Sequence, residues 1–100
     1  MINTSRDMKY IARHVSRQKI LRKIINDAET LANAVRERLD DPESKEAAMA
    51  MCDAVFMLFG TLEILNVQNG YSPDMAMIGR INPFYINDWA NSLREAKNHD

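Results

Sequence analysis

The chain predicts an all-α fold, a helical bundle of two long and two short helices that assembles as a homodimer, and three observations carry that prediction. Its 100 residues hold only three Gly and three Pro, too few for a loop-rich β protein. Neither residue type occurs before Pro42, so a helix can run through most of the first forty positions. Apolar residues recur at alternating three- and four-residue intervals, the pattern of a helix covered along one stripe. A chain of this length is near the lower end for a self-sufficient core. One domain spanning 1–100 and self-association are therefore both expected.

Thr4 and Asp7 form a capping-box pattern, which starts the first helix near residue 5 and allows it to continue to about Leu39. Met8, Ile11 and Val15 make one apolar set on it. Leu21, Ile25, Ala28, Ala32, Val35 and Leu39 make a second set, in the three-four alternation of a packed seam with a partner along its length. At 100° per residue the two sets point in different directions, which places a bend or a change of partner between Arg17 and Ile20. Asp41 as N-cap and Pro42 as first helical residue start a second helix. It runs to about Asn66 and closes at Asn69 and Gly70. Ser72, Pro73 and Asp74 start a short third helix through about Gly79, and Asn82 with Pro83 starts a fourth that ends near Lys97.

The apolar stretch 47–65 raises a membrane question. Asp53 and Glu63 lie inside it, and each costs roughly 2.5 to 3.5 kcal/mol near a bilayer centre. A core helix, apolar on nearly all sides, is the expectation, with Asp53 and Glu63 as buried carboxylates matched by Arg. Ala50, Asp53, Met57, Gly60 and Ile64 form a strip along which a symmetry mate or the first helix could cross, unless Gly60 only makes room for a neighbouring Phe. The Met residues suit an irregular core better than a cofactor box.

No catalytic constellation is visible. His14 and His99 are far apart and neither has a ligand partner at helical spacing. Cys52 is expected to be a buried, inert thiol, and as the sole cysteine it forms no internal disulfide. No phosphate-binding loop or dinucleotide fingerprint occurs. A non-enzyme without metal or cofactor is expected, kept in a reducing cytoplasm because no secretory leader is recognisable.

Charge is unevenly spread. Residues 1 to 26 hold seven cations against Asp7 alone, a net +6, so the remainder carries -7 to reach the overall -1. Arg6, Lys9, Arg13 and Arg17 fall at spacings of three and four and form one cationic stripe opposite Met8, Ile11 and Val15. Such a stripe can meet phosphates, anionic lipid or an acidic protein surface. The acidic remainder favours protein, and the acidic region 37–46 offers a partner within the chain or in a second copy. Lipid fits least, because the apolar face beneath lacks Trp and Phe.

"SPDMAMIGRINPFYINDWANSL", residues 72 to 93, resembles the helix-turn-helix of phage-repressor-like DNA-binding proteins. Ile86 and Trp89 would pack inward, while Phe84, Tyr85, Asn87, Asp88 and Asn91 face out. That resemblance implies a DNA-binding regulator using residues 72–95, with Arg80, Asn87 and Asn91 on the nucleic acid and the Asn amides reading adenine edges. Against it, Arg80 is the only cation in 72–93, facing Asp74 and Asp88, and duplex affinity rests on phosphate neutralisation. The turn is also one residue too long. In the competing view Ile86, Trp89, Ala90 and Leu93 close the bundle, with Trp89 as anchor and Phe84 and Tyr85 on a binding surface. The favoured expectation is therefore a small inhibitor or adaptor that binds a larger protein through Arg6, Lys9, Arg13, Arg17, Phe84 and Tyr85. Its general character fits proteins of the anti-defence type encoded by phages and mobile elements.

Overall fold

A computed structural model describes residues 1 to 73 and 75 to 98. They form five helices: α1 Thr4–His14, α2 Arg17–Asp40, α3 Lys45–Gln68, α4 Met75–Ile78 and α5 Pro83–Asn98. Asp74, from the expected start of the third helix, and His99 lie outside the described residues. The described residues contain no strand, and the all-α class holds. The count of four helices is corrected to five, because the first long helix is two helices.

The break falls at Val15 and Ser16, whose ψ angles of 133° and 152° are extended. Ser16 Oγ accepts the Lys19 N–H at 3.2 Å and so caps α2. Across the break, Gln68 of α3 donates from Nε2 to the carbonyls of Ala12 at 3.2 Å and Val15 at 2.7 Å. The end of a helix leaves its last carbonyls without partners, and here a side chain from another helix supplies them. The change of direction expected from Arg17 to Ile20 is thus a full break slightly earlier.

Short polar side chains set the other helix starts. Asn3, not Thr4, caps α1 by accepting the Arg6 N–H at 3.0 Å. Ser44, not Asp41, caps α3 by accepting the Ala47 N–H at 3.1 Å, leaving Pro42 in the turn. Asn82 accepts from the N–H groups of Phe84 and Tyr85, with Pro83 as first residue of α5. At the end of α3, Asn69 is the C-cap and Gly70 takes φ 95°, a left-handed backbone that side chains resist.

α2 and α3 lie antiparallel as a hairpin, and α1 packs on α3 and α5. Met8, Ile11, Ile20, Ile64, Ile86 and Ala90 are fully buried where these helices meet. Gly60 makes the crossing possible. A Cβ there would stand 3.0 Å from Ile86 Cδ1 and 3.2 Å from Ile81 Cγ2, so its neighbours are two isoleucines and not a Phe. In α5 the buried anchor is Ile86, while Trp89 is only half-buried.

Three expectations about the long helices are corrected. The α2 stripe that faces α3 is Ile20, Asp27 and Ala34, flanked by half-buried Ile24, Leu31 and Arg38. The regular seam expected to be packed faces solvent, with Ile25 57% and Leu39 77% exposed. α3 is long and apolar enough to cross a membrane by length and composition. It is nevertheless covered on only part of its circumference, since Met49, Phe56 and Leu62 are exposed. Cys52 and Asp53 are exposed as well, so neither is a core residue, whereas Glu63 is buried.

Candidate interaction surface

The two most deeply buried carboxylates among the described residues belong to acids whose burial the sequence gives no sign of. Asp7 on α1 is fully buried, and Asp27 on α2 is 2% exposed. Burying a carboxylate is costly unless charge and hydrogen bonds compensate it, so the groups around each are informative.

Asp7 closes a ring of four side chains with α5. Arg94 Nη2 stands 2.9 Å from Asp7 Oδ1, and Asn87 donates from Nδ2 to Asp7 Oδ2 at 2.9 Å. Asn87 Oδ1 accepts from Asn91 at 3.2 Å, and Asn91 Oδ1 accepts from Arg94 Nη1 at 2.9 Å. The Arg94 guanidinium also lies 4.6 Å above the Tyr10 ring, a favourable cation–π placement, and Tyr10 stacks on His14 at 4.1 Å.

Asp27 ties three helices together. Thr61 of α3 donates to it at 2.6 Å, Lys23 of α2 pairs with it at 3.2 Å, and the Tyr85 hydroxyl of α5 stands 3.4 Å away. Lys23 also sits 4.9 Å from the Tyr85 ring centre. Burial raises the Tyr85 phenol above its usual 10.0, and the Asp27 charge adds to this against the hydrogen bonds of Lys23 and Thr61. Burial lowers the Lys23 ammonium, but Tyr85 and Asp27 together outweigh burial and leave it above its usual 10.5.

These networks relocate several expected surface residues. Asn87 is turned inward onto Asp7, and Asn91 is exposed but holds both Asn87 and Arg94. Neither amide is left free to read a base edge. Tyr85 is half-buried against Asp27, which corrects its placement on an outward face, whereas Phe84 is 67% exposed. Arg80 is exposed and follows α4, which is a single turn of four residues.

Arg6, Lys9, Arg13 and Arg17 are all exposed. Among the described residues none of the four is in an ion pair. The first three lie on α1, while Arg17 opens α2 across the Val15–Ser16 break, so the stripe is not carried by one helix. The acidic residues Glu37, Asp40, Asp41, Glu43 and Glu46 are also exposed, around the far end of the hairpin. A shallow groove of about 420 Å³ runs beside the start of α1, lined by residues 1 to 6 and Ile78. The described residues contain no group of three or more His, Cys, Asp or Glu placed to hold a metal ion.

Comparison with protein-family models, with curated proteins and with solved structures finds no match to this chain.

Proposed function

We propose that the protein is a non-catalytic, homodimeric interaction protein of the cytoplasm, an inhibitor or adaptor that docks its basic amino-terminal face on an acidic surface of a larger protein. The supporting observation is the contrast between two sets of charges. Asp7, Asp27, Lys23 and Arg94 are consumed in internal networks, whereas Arg6, Lys9, Arg13 and Arg17 stand exposed and are in no ion pair among the described residues. Unpaired, clustered cations are available to steer and hold an anionic partner. Phe84, large and exposed, supplies an apolar contact of the kind that anchors interfaces. An origin in a phage or mobile element suits this character and rests on general character alone.

The alternative, a DNA-binding regulator using residues 72–95, loses support from the engagement of Asn87 and Asn91 and from the one-turn length of α4. The test is titration of a labelled mixed-sequence duplex at two salt concentrations. The expected result is no binding at low salt. Tight binding that weakens steeply with salt, and is lost when Asn87 and Asn91 become Ala in protein that remains folded, would favour the regulator.

A further inference from the structure

We infer that the outer face of the α2–α3 hairpin is the surface on which a second copy of this chain sits, with the two α2 helices antiparallel. This rests on the homodimer of the proposed function and adds its interface and orientation. The most regular apolar seam in the chain is the one the protomer leaves open. Leu21 and Val35 are each 43% exposed, and Ile25 and Leu39 more so. On α3, Met51, Val55, Leu58 and Leu62 share one side by their three-four spacing. Met51 joins Val35, Arg38, Leu39 and Pro42 around an apolar groove of about 390 Å³, so both seams look the same way. α5 lies on the other side of α2, where Lys23 meets Tyr85.

Three features point to a second copy as the occupant. The α2 seam reads Leu, Ile, Ala, Ala, Val, Leu, nearly the same in either direction. An antiparallel copy therefore sets large residues beside large ones, Leu21 by Leu39 and Ile25 by Val35. The small pair Ala28 and Ala32 falls at the axis, where the helices approach most closely. Charge selects the same orientation. Arg22 near the start of α2 and Asp40 at its end lie on the same rim of the seam, each about 100° round the helix from it. Antiparallel pairing brings Arg22 of each copy toward the partner's Asp40, while a two-fold axis along the helices would place like charges together. Glu29 then approaches its own copy at an exposed rim, where salt screens the repulsion.

Size is compatible too. The seam spans about 27 Å of helix, and two helices side by side are about 20 Å wide. That gives about 1,100 Å² over both copies, close to the lower bound of about 1,200 Å² for stable interfaces.

The experiment is sedimentation equilibrium of the full chain at about 100 µM, with helix content followed by circular dichroism. The wild type is expected at twice the monomer mass. Ile25→Asp is expected to be a folded monomer, with dimer affinity reduced at least about a hundredfold. Ala28→Arg keeps a good helix former on the same seam and provides the readout if Ile25→Asp loses helix content. Arg22→Glu is expected to weaken the dimer, and Asp40→Lys in the same chain to restore it. A monomeric wild type, whether or not it binds lipid vesicles, would overturn the inference, as would undiminished dimers of a folded seam variant. Failure of Asp40→Lys to restore the dimer would overturn the antiparallel orientation. Alanine at Arg6, Lys9 and Arg13 is expected to leave the mass unchanged, so failure of this interface is distinct from failure of the partner surface.

Discussion

Arg94 and Asp7, 87 positions apart in the chain, meet at 2.9 Å with the Asp7 side chain completely buried. This contact joins the first helix to the last, and it accounts for two asparagines that would otherwise look like a reading surface. Removing Arg94 while keeping Asp7 strands a buried carboxylate, a change that typically costs about 3–5 kcal/mol. Arg94→Met is therefore expected to destabilise the fold by that order in urea denaturation. Adding Asp7→Leu is expected to recover much of the loss.

Gly60 is expected to resist enlargement. Alanine has the better helix propensity by about 1 kcal/mol, but its Cβ would press on Ile86 and Ile81, both buried with little room to yield. Overpacking of this kind costs about 1–3 kcal/mol. Gly60→Ala should be destabilising by about 1 kcal/mol on balance, and Gly60→Val by clearly more, as measured by denaturation midpoints.

Stability is expected to fall in alkali. The Tyr85 phenol and the Lys23 ammonium both have folded pKa values above their ordinary 10.0 and 10.5. The folded state thus holds these protons after the unfolded state has released them, and the linked stability, complete below 10.0, is lost as pH rises past that point. Denaturation midpoints between neutral pH and the alkaline limit should show this decline, and Tyr85→Phe should make it shallower.

The cap at the break is expected to matter more than its exposure suggests. Ser16→Ala removes the acceptor for the Lys19 N–H and should cost about 1 kcal/mol. Ser16→Asp, which keeps an acceptor, should cost less in the same thermal unfolding comparison.

Local backbone chemistry is legible in this chain, and distant pairing is not. Asn82 with Pro83, and Asn69 with Gly70, mark their helix ends correctly because capping geometry is decided within a few residues. Ser16 escapes notice because the apolar spacing around it still permits one continuous helix. Only the loss of phase between Val15 and Leu21 hints at the break, which Gln68 then stabilises from another helix. Periodicity shows that the seam from Leu21 onward is apolar but cannot say whether anything in the same chain covers it. The stripe that α3 does cover contains Asp27 and Arg38, so it looks less apolar than the exposed one. Asp7 and Asp27 look like ordinary surface acids until Arg94, Thr61 and Tyr85 arrive from far along the chain. Arg6, Lys9 and Arg13 are different, since their spacing already indicates one exposed helical face.

The proposal that the exposed cations of α1 and Arg17 hold a protein partner is open to a decisive measurement, photo-crosslinking in the protein's native cell. A benzophenone amino acid would replace Lys9 and, as a control on the opposite charge pole, Glu43. The expected result is one discrete protein adduct at position 9 that is absent at position 43 and disappears when Arg6, Arg13 and Arg17 become Ala. A nucleic-acid adduct at position 9, no adduct at all, or a protein adduct that survives the alanine substitutions would contradict it.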